Sequence, residues 1–123
     1  MKIAITTSGK NHDAPVDPRF GRAKGFVIYD TETGEWSLLD NAQNLQAAQG
    51  AGIQAATSVV KAGAEAVLTG NCGPKAFRAL SAGKVTVYTG VSGTIREAVE
   101  DFRSGTLPPA AQASVGEHAG MGL

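Results

Sequence analysis

Cys72 is the only cysteine of the 123-residue chain, which excludes an internal disulfide and an all-cysteine zinc site. It stands before Gly73 and Pro74, and a proline there is suited to the first turn of a helix. A thiol at a helix amino end has its pKa lowered, giving a thiolate that suits soft metals such as copper or zinc. On that reading Cys72 is a metal ligand, reactive in the empty protein and shielded by a bound ligand. The alternative is a buried thiol that serves as a small hydrophobe.

Other residues could hold an anion. Arg19, Arg22 and Lys24 share one loop with Phe20, Pro15 and Pro18; guanidinium forks bind the oxygen or sulfur surface of an anion, or else pair with Asp13, Asp17 or Asp30 to brace the loop. Ser8 and Lys10 follow the first apolar segment, Asn71 and Gly73 flank Cys72, and Ser92 and Gly93 precede a third helical pattern. Helix amino ends attract negative charge through their unpaired amides and dipole. Two such ends, after Gly73 and after Gly93, are expected to face one cavity with Ser8, Lys10, Arg19, Arg22, Asn71, Gly73, Ser92 and Gly93. The plain reading of these turns is that βα loops need glycines and caps in any case. His12 and His118, the only histidines, are candidate metal ligands beside Cys72, or else solvated side chains.

The elements that must position these groups follow from periodicity. Lys2–Thr7 alternates as a strand, and Gly25–Asp30 and Glu35–Asp40, separated by Thr31-Glu32-Thr33-Gly34, read as an antiparallel hairpin. Ile53, Ala56, Val59 and Val60 share a helical face within 51–62, stopped at Gly63. A buried strand over 65–69, a helix over 74–82 ended by Gly83, and a strand over 85–88 come next. The last helix begins near Thr94, which has capping-box spacing to Glu97, and ends at Gly105 before Pro108-Pro109. Strand, strand, strand, helix, strand, helix, strand, helix describes an α/β fold: a mixed sheet of about five strands with three helices, in a ribonuclease-H-like arrangement. Ligands of such sheets sit beyond the carboxyl ends of the parallel strands, where the candidate loops lie. Residues 1–106 form one domain, and 107–123, with no sustained period and little apolar bulk, form a flexible tail.

Composition narrows the function classes. Eleven basic and eleven acidic residues cancel, so neither a nucleic acid nor a membrane surface is the expected partner and any anion is held by local arrangement. No apolar run approaches the roughly 18 residues that span a bilayer, and the amino end turns polar too early for a signal peptide, so the cytoplasm is the expected location.

Asp17-Pro18-Arg19-Phe20-Gly21-Arg22-Ala23, followed by Phe26-Val27-Ile28-Tyr29 and later by Thr69-Gly70-Asn71-Cys72-Gly73-Pro74-Lys75-Ala76-Phe77, resembles the dinitrogenase iron-molybdenum cofactor biosynthesis family over residues 1 to about 107. The resemblance implies a ribonuclease-H-like fold and the non-catalytic binding, storage or delivery of an anionic molybdenum-containing metal-sulfur cluster. That cluster would be a molybdenum-copper sulfide cluster, as a stand-alone member holds, or an iron-molybdenum cofactor precursor, exchanged with a cluster donor or acceptor protein. It points to the same loops around Arg19 and Arg22, Asn71 to Gly73, and Ser92. The chain lacks a radical-SAM cysteine motif and a second cysteine, so synthesis of a cluster is not supported.

Two enzyme readings compete. A ribonuclease-H-like nuclease would need several carboxylates, including one on the first strand, and Lys2–Thr7 has none. Cys72 and Arg78 have the C-x5-R spacing of phosphatases and arsenate reductases, an oxyanion chemistry that needs a nucleophilic thiolate in a loop of free amides. Pro74 removes one of those amides.

Overall fold

In the computed structural model, residues 1–41 and 50–110 are described. The polar stretch 42–49 and the chain after Ala110, with His118, lie outside the described residues.

The strands are β1 (Lys2–Thr7), β2 (Gly25–Asp30), β3 (Trp36–Asp40), β4 (Ala64–Leu68) and β5 (Thr86–Tyr88). The helices are α1 (Ala51–Lys61), α2 (Pro74–Ala82) and α3 (Ile95–Ser104). One sheet runs in the order β3-β2-β1-β4-β5. β1 pairs antiparallel with β2 and parallel with β4, β2 pairs antiparallel with β3, and β4 pairs parallel with β5. This is the mixed α/β sheet expected from the element order.

Strand alternation sorts the apolar side chains into two layers. Ala4, Phe26, Ile28, Val67 and Val87 pack with Ala55, Ala56 and Val59 of α1 and Ala76 and Leu80 of α2. Ile3, Ile5, Val27, Tyr29, Ala66 and Leu68 face the other way, against Ile95, Ala98 and Val99 of α3. α1 and α2 therefore share one face of the sheet, and α3 alone covers the opposite one. α3 is capped as its sequence foretold: Thr94 Oγ1 accepts from Glu97 N–H at 3.1 Å and Thr94 N–H donates to Glu97 Oε1 at 2.9 Å. The Thr94 N–H, and after it the Thr94 hydroxyl donating to the same Oε1 at 3.1 Å, hold the Glu97 carboxyl below the usual glutamate range.

The expected tail boundary at Leu107 falls too early. Leu107 packs against the α3 layer, and Ala110 N–H donates to Val87 O of β5 at 2.8 Å. Gly105 ends α3, and the Pro108-Pro109 break does not release the chain before Ala110. Truncation after Thr106 removes a half-buried leucine and one main-chain hydrogen bond, and should lower unfolding free energy by about 1–3 kcal/mol in urea denaturation.

Candidate functional site

The long loop from Ser8 to Lys24 crosses the carboxyl ends of the parallel strands and is tied down by main-chain bonds. Asp17 N–H donates to Thr6 O at 2.8 Å, Val16 N–H to Gly93 O at 2.8 Å, Phe20 N–H to Asn71 O at 3.1 Å and Asn71 N–H to Pro18 O at 2.7 Å. Beneath it, the buried Thr6 hydroxyl donates to Asp17 O at 2.7 Å and lies 3.0 Å from the Thr69 hydroxyl. Gly70 is a glycine because a Cβ there would fall 2.7 Å from Pro18 Cα and 2.8 Å from Pro18 O. Phe20 plugs the α1/α2 core at 2% exposure, its ring 5.4 Å from that of Phe26. Asn41 seals the loop's return, its Nδ2 donating to Ala23 O at 2.7 Å.

These ties carry Arg19 and Arg22 to the amino ends of α1 and α2. Arg19 bridges to Asn71 in parallel fashion. Gly21 lies so close to α1 that its Cβ would meet Gly52 Cα at 2.9 Å, while a Cβ on Gly52 would meet Ala76 Cβ of α2 at 3.3 Å. The N-cap residues of both helices are glycines, Gly50 and Gly73, which offer no capping side chain. Asp17 Oδ1 accepts Arg19 N–H at 2.9 Å and lies 3.5 Å from Arg19 Nε, yet the Arg19 side chain remains 65% exposed. The bracing role and an outward-facing guanidinium thus coexist in one residue. Arg22 and Asn71 are exposed, and Gly73 is half-buried.

The structure bears on three sequence expectations here. The first concerns which helix ends converge. α1 and α2 meet, whereas the amino end of α3 is used up internally: Ile95 N–H donates to Ala14 O, Arg96 N–H to His12 O and Glu97 N–H to Thr94 Oγ1. Ser92 and Gly93 are exposed beside an end whose amides serve the loop, not an anion. The partnership with α1 was hidden because Gly50, in left-handed conformation at φ 78°, gives no capping signature in sequence.

The second concerns Cys72. Its side chain is 1% exposed and belongs to the α1/α2 core with Phe20, Phe26 and Leu80. Burial pushes the thiol from its ordinary 9.0 up to about 11, and Sγ contacts Gly73 O at 3.7 Å. Desolvation outweighs the helix amino end, so the thiol is protonated core filler and not the expected thiolate. The oxyanion-enzyme reading falls with it: Arg78 is exposed on α2, and a buried protonated thiol supplies no nucleophile.

The third concerns metal ligands. Among the described residues no three histidine, cysteine, aspartate or glutamate side chains gather as a metal site. His12 stacks on Trp36 with ring centroids 4.8 Å apart, and Trp36 packs on the α3 layer, so Cys72 and His12 belong to opposite layers of the protein.

Ser8 and Lys10 take another place at the same end of the sheet. A groove of about 310 Å³ is lined by Ser8, Lys10, Lys24, Leu38 and Asp40. An adjoining groove of about 390 Å³ is lined by Lys10, Asn11, His12, Trp36 and Leu38. Neither lining includes Arg19, Arg22, Asn71 or Gly73. Trp36 is thus a groove residue that the sequence reading did not assign to a site, and Lys24, grouped there with Arg19 and Arg22, lines the groove of Lys10 instead.

Comparison with known proteins gives the family and the fold. The family model described as dinitrogenase iron-molybdenum cofactor matches residues 1–105. The chain belongs to that family. It is similar to the apo form of the orange protein from Desulfovibrio gigas, with TM-score 0.90 and 44% identity over 91% of this chain and 94% of that one. A putative NifB protein from Thermotoga superposes with TM-score 0.77 at 37% identity, covering 88% of this chain and 91% of the other. An uncharacterized protein of Methanocaldococcus jannaschii is 28% identical over 109 residues, 87% of this chain and 89% of its own length. Among the described residues no helix is long and apolar enough to cross a membrane.

The buried thiol sets a sign for pH dependence. A group whose folded pKa is raised gives its full stabilisation below the unfolded pKa and loses it as pH rises through the folded one. The stability difference between the natural chain and Cys72→Ala should therefore be constant below about pH 9 and shrink as pH approaches about 11. Cys72 should resist alkylation in the folded protein up to about pH 9 and react on unfolding. Rapid labelling of the native state would contradict its burial.

Proposed function

We propose that this protein binds, stores or delivers an anionic molybdenum-containing metal-sulfur cluster, of the molybdenum-copper sulfide or iron-molybdenum cofactor precursor type, without catalysing a reaction on it. The observation that carries the reading is the docking of the Asp17–Arg22 loop onto the Asn71 turn. It carries Arg19 and Arg22, both exposed residues, to the adjoining amino ends of α1 and α2. Family membership over residues 1–105 and the likeness to the orange protein support the same class of cargo.

In this reading the cluster is held by charge and hydrogen bonds and not by a thiolate. Guanidinium groups neutralise its sulfide or oxide surface, and helix amino ends favour its negative charge. The chain's net charge of zero leaves attraction to these few local groups. Asp17 fixes the Arg19 backbone, so the guanidinium is presented from a braced loop. Noncovalent anchoring also suits a carrier, because release breaks no metal-thiolate bond.

Titration of the apoprotein with tetrathiomolybdate and a copper salt should develop visible absorbance and leave molybdenum on the protein through gel filtration. Arg19→Ala combined with Arg22→Ala should weaken retention by about tenfold or more and steepen its salt dependence. Its stability should fall by no more than about 1 kcal/mol, because the Arg19 side chain is 65% exposed and the buried Asp17 carboxylate keeps its bond from the Arg19 N–H. Cys72→Ala should keep the cluster despite the loss of core packing. Failure of the natural chain to retain molybdenum would overturn the proposal.

A further inference from the structure

The two edges of the sheet are finished differently. β5 is three residues long and receives a main-chain bond from Ala110. β3 is five residues long, and among the described residues no strand pairs with its outer side. Its register with β2 is unbroken from Trp36 to Asp40, so no bulge turns the edge away. Its sequence Trp-Ser-Leu-Leu-Asp holds no proline and no lysine, which are the usual protections of a free edge. Leu38, at the middle, is 54% exposed.

The register also shows which main-chain groups face out. Asp30 N–H donates to Glu35 O at 3.0 Å and Asn41 N–H to Lys24 O at 2.9 Å. Alternation of antiparallel pairs then assigns the peptide groups of Ser37 and Leu39 to β2, and those of Trp36, Leu38 and Asp40 to the outer edge. Around that row lie the two adjoining grooves, in which Lys10 lines both walls next to Leu38, Lys24 the second and His12 the first. Asp40 is the one carboxylate of their linings.

We propose that β3 is a docking edge for an extended segment of a partner protein that carries apolar and acidic side chains in alternation. The partner's main chain would pair with the outward groups of Trp36, Leu38 and Asp40, in the manner of strand addition. One set of its side chains would cover Leu38 and the Trp36 ring, and acidic neighbours would meet Lys10 and Lys24. A second copy of this chain fits less well. A twofold axis through Leu38 would bring the Lys10 and Lys24 side chains of both copies towards each other with few carboxylates to offset them.

The test uses the full chain without any cluster, so its outcome is independent of cluster binding. A blocked octapeptide of alternating glutamate and valine is titrated to about 1 mM, the weak end of specific recognition, while the amide NMR signals are followed. A lysine-valine peptide is the control. The expected result is saturable shifts confined to Trp36–Asp40 and the Ser8–His12 segment with the acidic peptide only. Lys10→Glu with Lys24→Glu should weaken binding by about tenfold or more. Leu38→Pro, which removes an outward N–H and spares the β2 ladder, should abolish it; Leu38→Lys serves the same purpose should the proline variant not fold. No shifts at β3, equal response to both peptides, or a dimer of the free chain by sedimentation with β3 amides protected from exchange would each overturn the proposal.

Discussion

The close crossing of Pro18 over Gly70 governs the loop that covers the carboxyl ends of the parallel strands. It permits the Ser8–Lys24 loop to lie flat across β1 and β4, close enough for the reciprocal bonds between Pro18, Phe20 and Asn71. A side chain at Gly70 would lift the loop, and with it Phe20 from the core and Arg19 from the α2 turn. The buried hydroxyls of Thr6 and Thr69 satisfy the polar groups that this crossing would otherwise strand from water. An irregular segment thus acquires the fixity of a strand without being one.

That fixity matters because the cationic groups are few. A protein with balanced charge cannot rely on a general field to gather an anion, so in the proposed function the placement of individual arginines decides what is held. Arg19 illustrates the economy of the arrangement. Its amide and Nε engage Asp17, which is itself buried and bonded to β1, while the rest of the side chain faces solvent.

Much of this was legible in the sequence. The strands, their antiparallel hairpin, the Pro74 start of α2 and the Thr94–Glu97 capping box all arise from local rules, and the structure reproduces them within about a residue. The motif segments 17–23 and 69–77 pointed to the right family. What sequence could not convey was depth and facing. Whether Cys72 is a thiolate or filler depends on Phe20 and Phe26 closing over it, which is a tertiary matter. Which helix amino ends meet depends on the layer each helix joins. α3 spends its first amides on carbonyls of Ala14 and His12, residues some eighty positions away in sequence, and no local pattern announces such a bond. The same holds for the tail, where Ala110 returns to β5 after a double proline that reads as a release.

The buried state of Cys72 has a practical corollary for the redox behaviour of the whole molecule. Oxidation to sulfenic acid and formation of mixed disulfides both begin at an accessible thiolate. This chain's single thiol is protonated and sealed within the core. The folded polypeptide is therefore inert to mild oxidants and to cross-linking through sulfur, and can be kept in air without a thiol reductant that would itself compete for soft metals. Were the protein loaded with the proposed cluster, bleaching on exposure to oxygen would be a property of the inorganic species, with the thiol acting as a spectator.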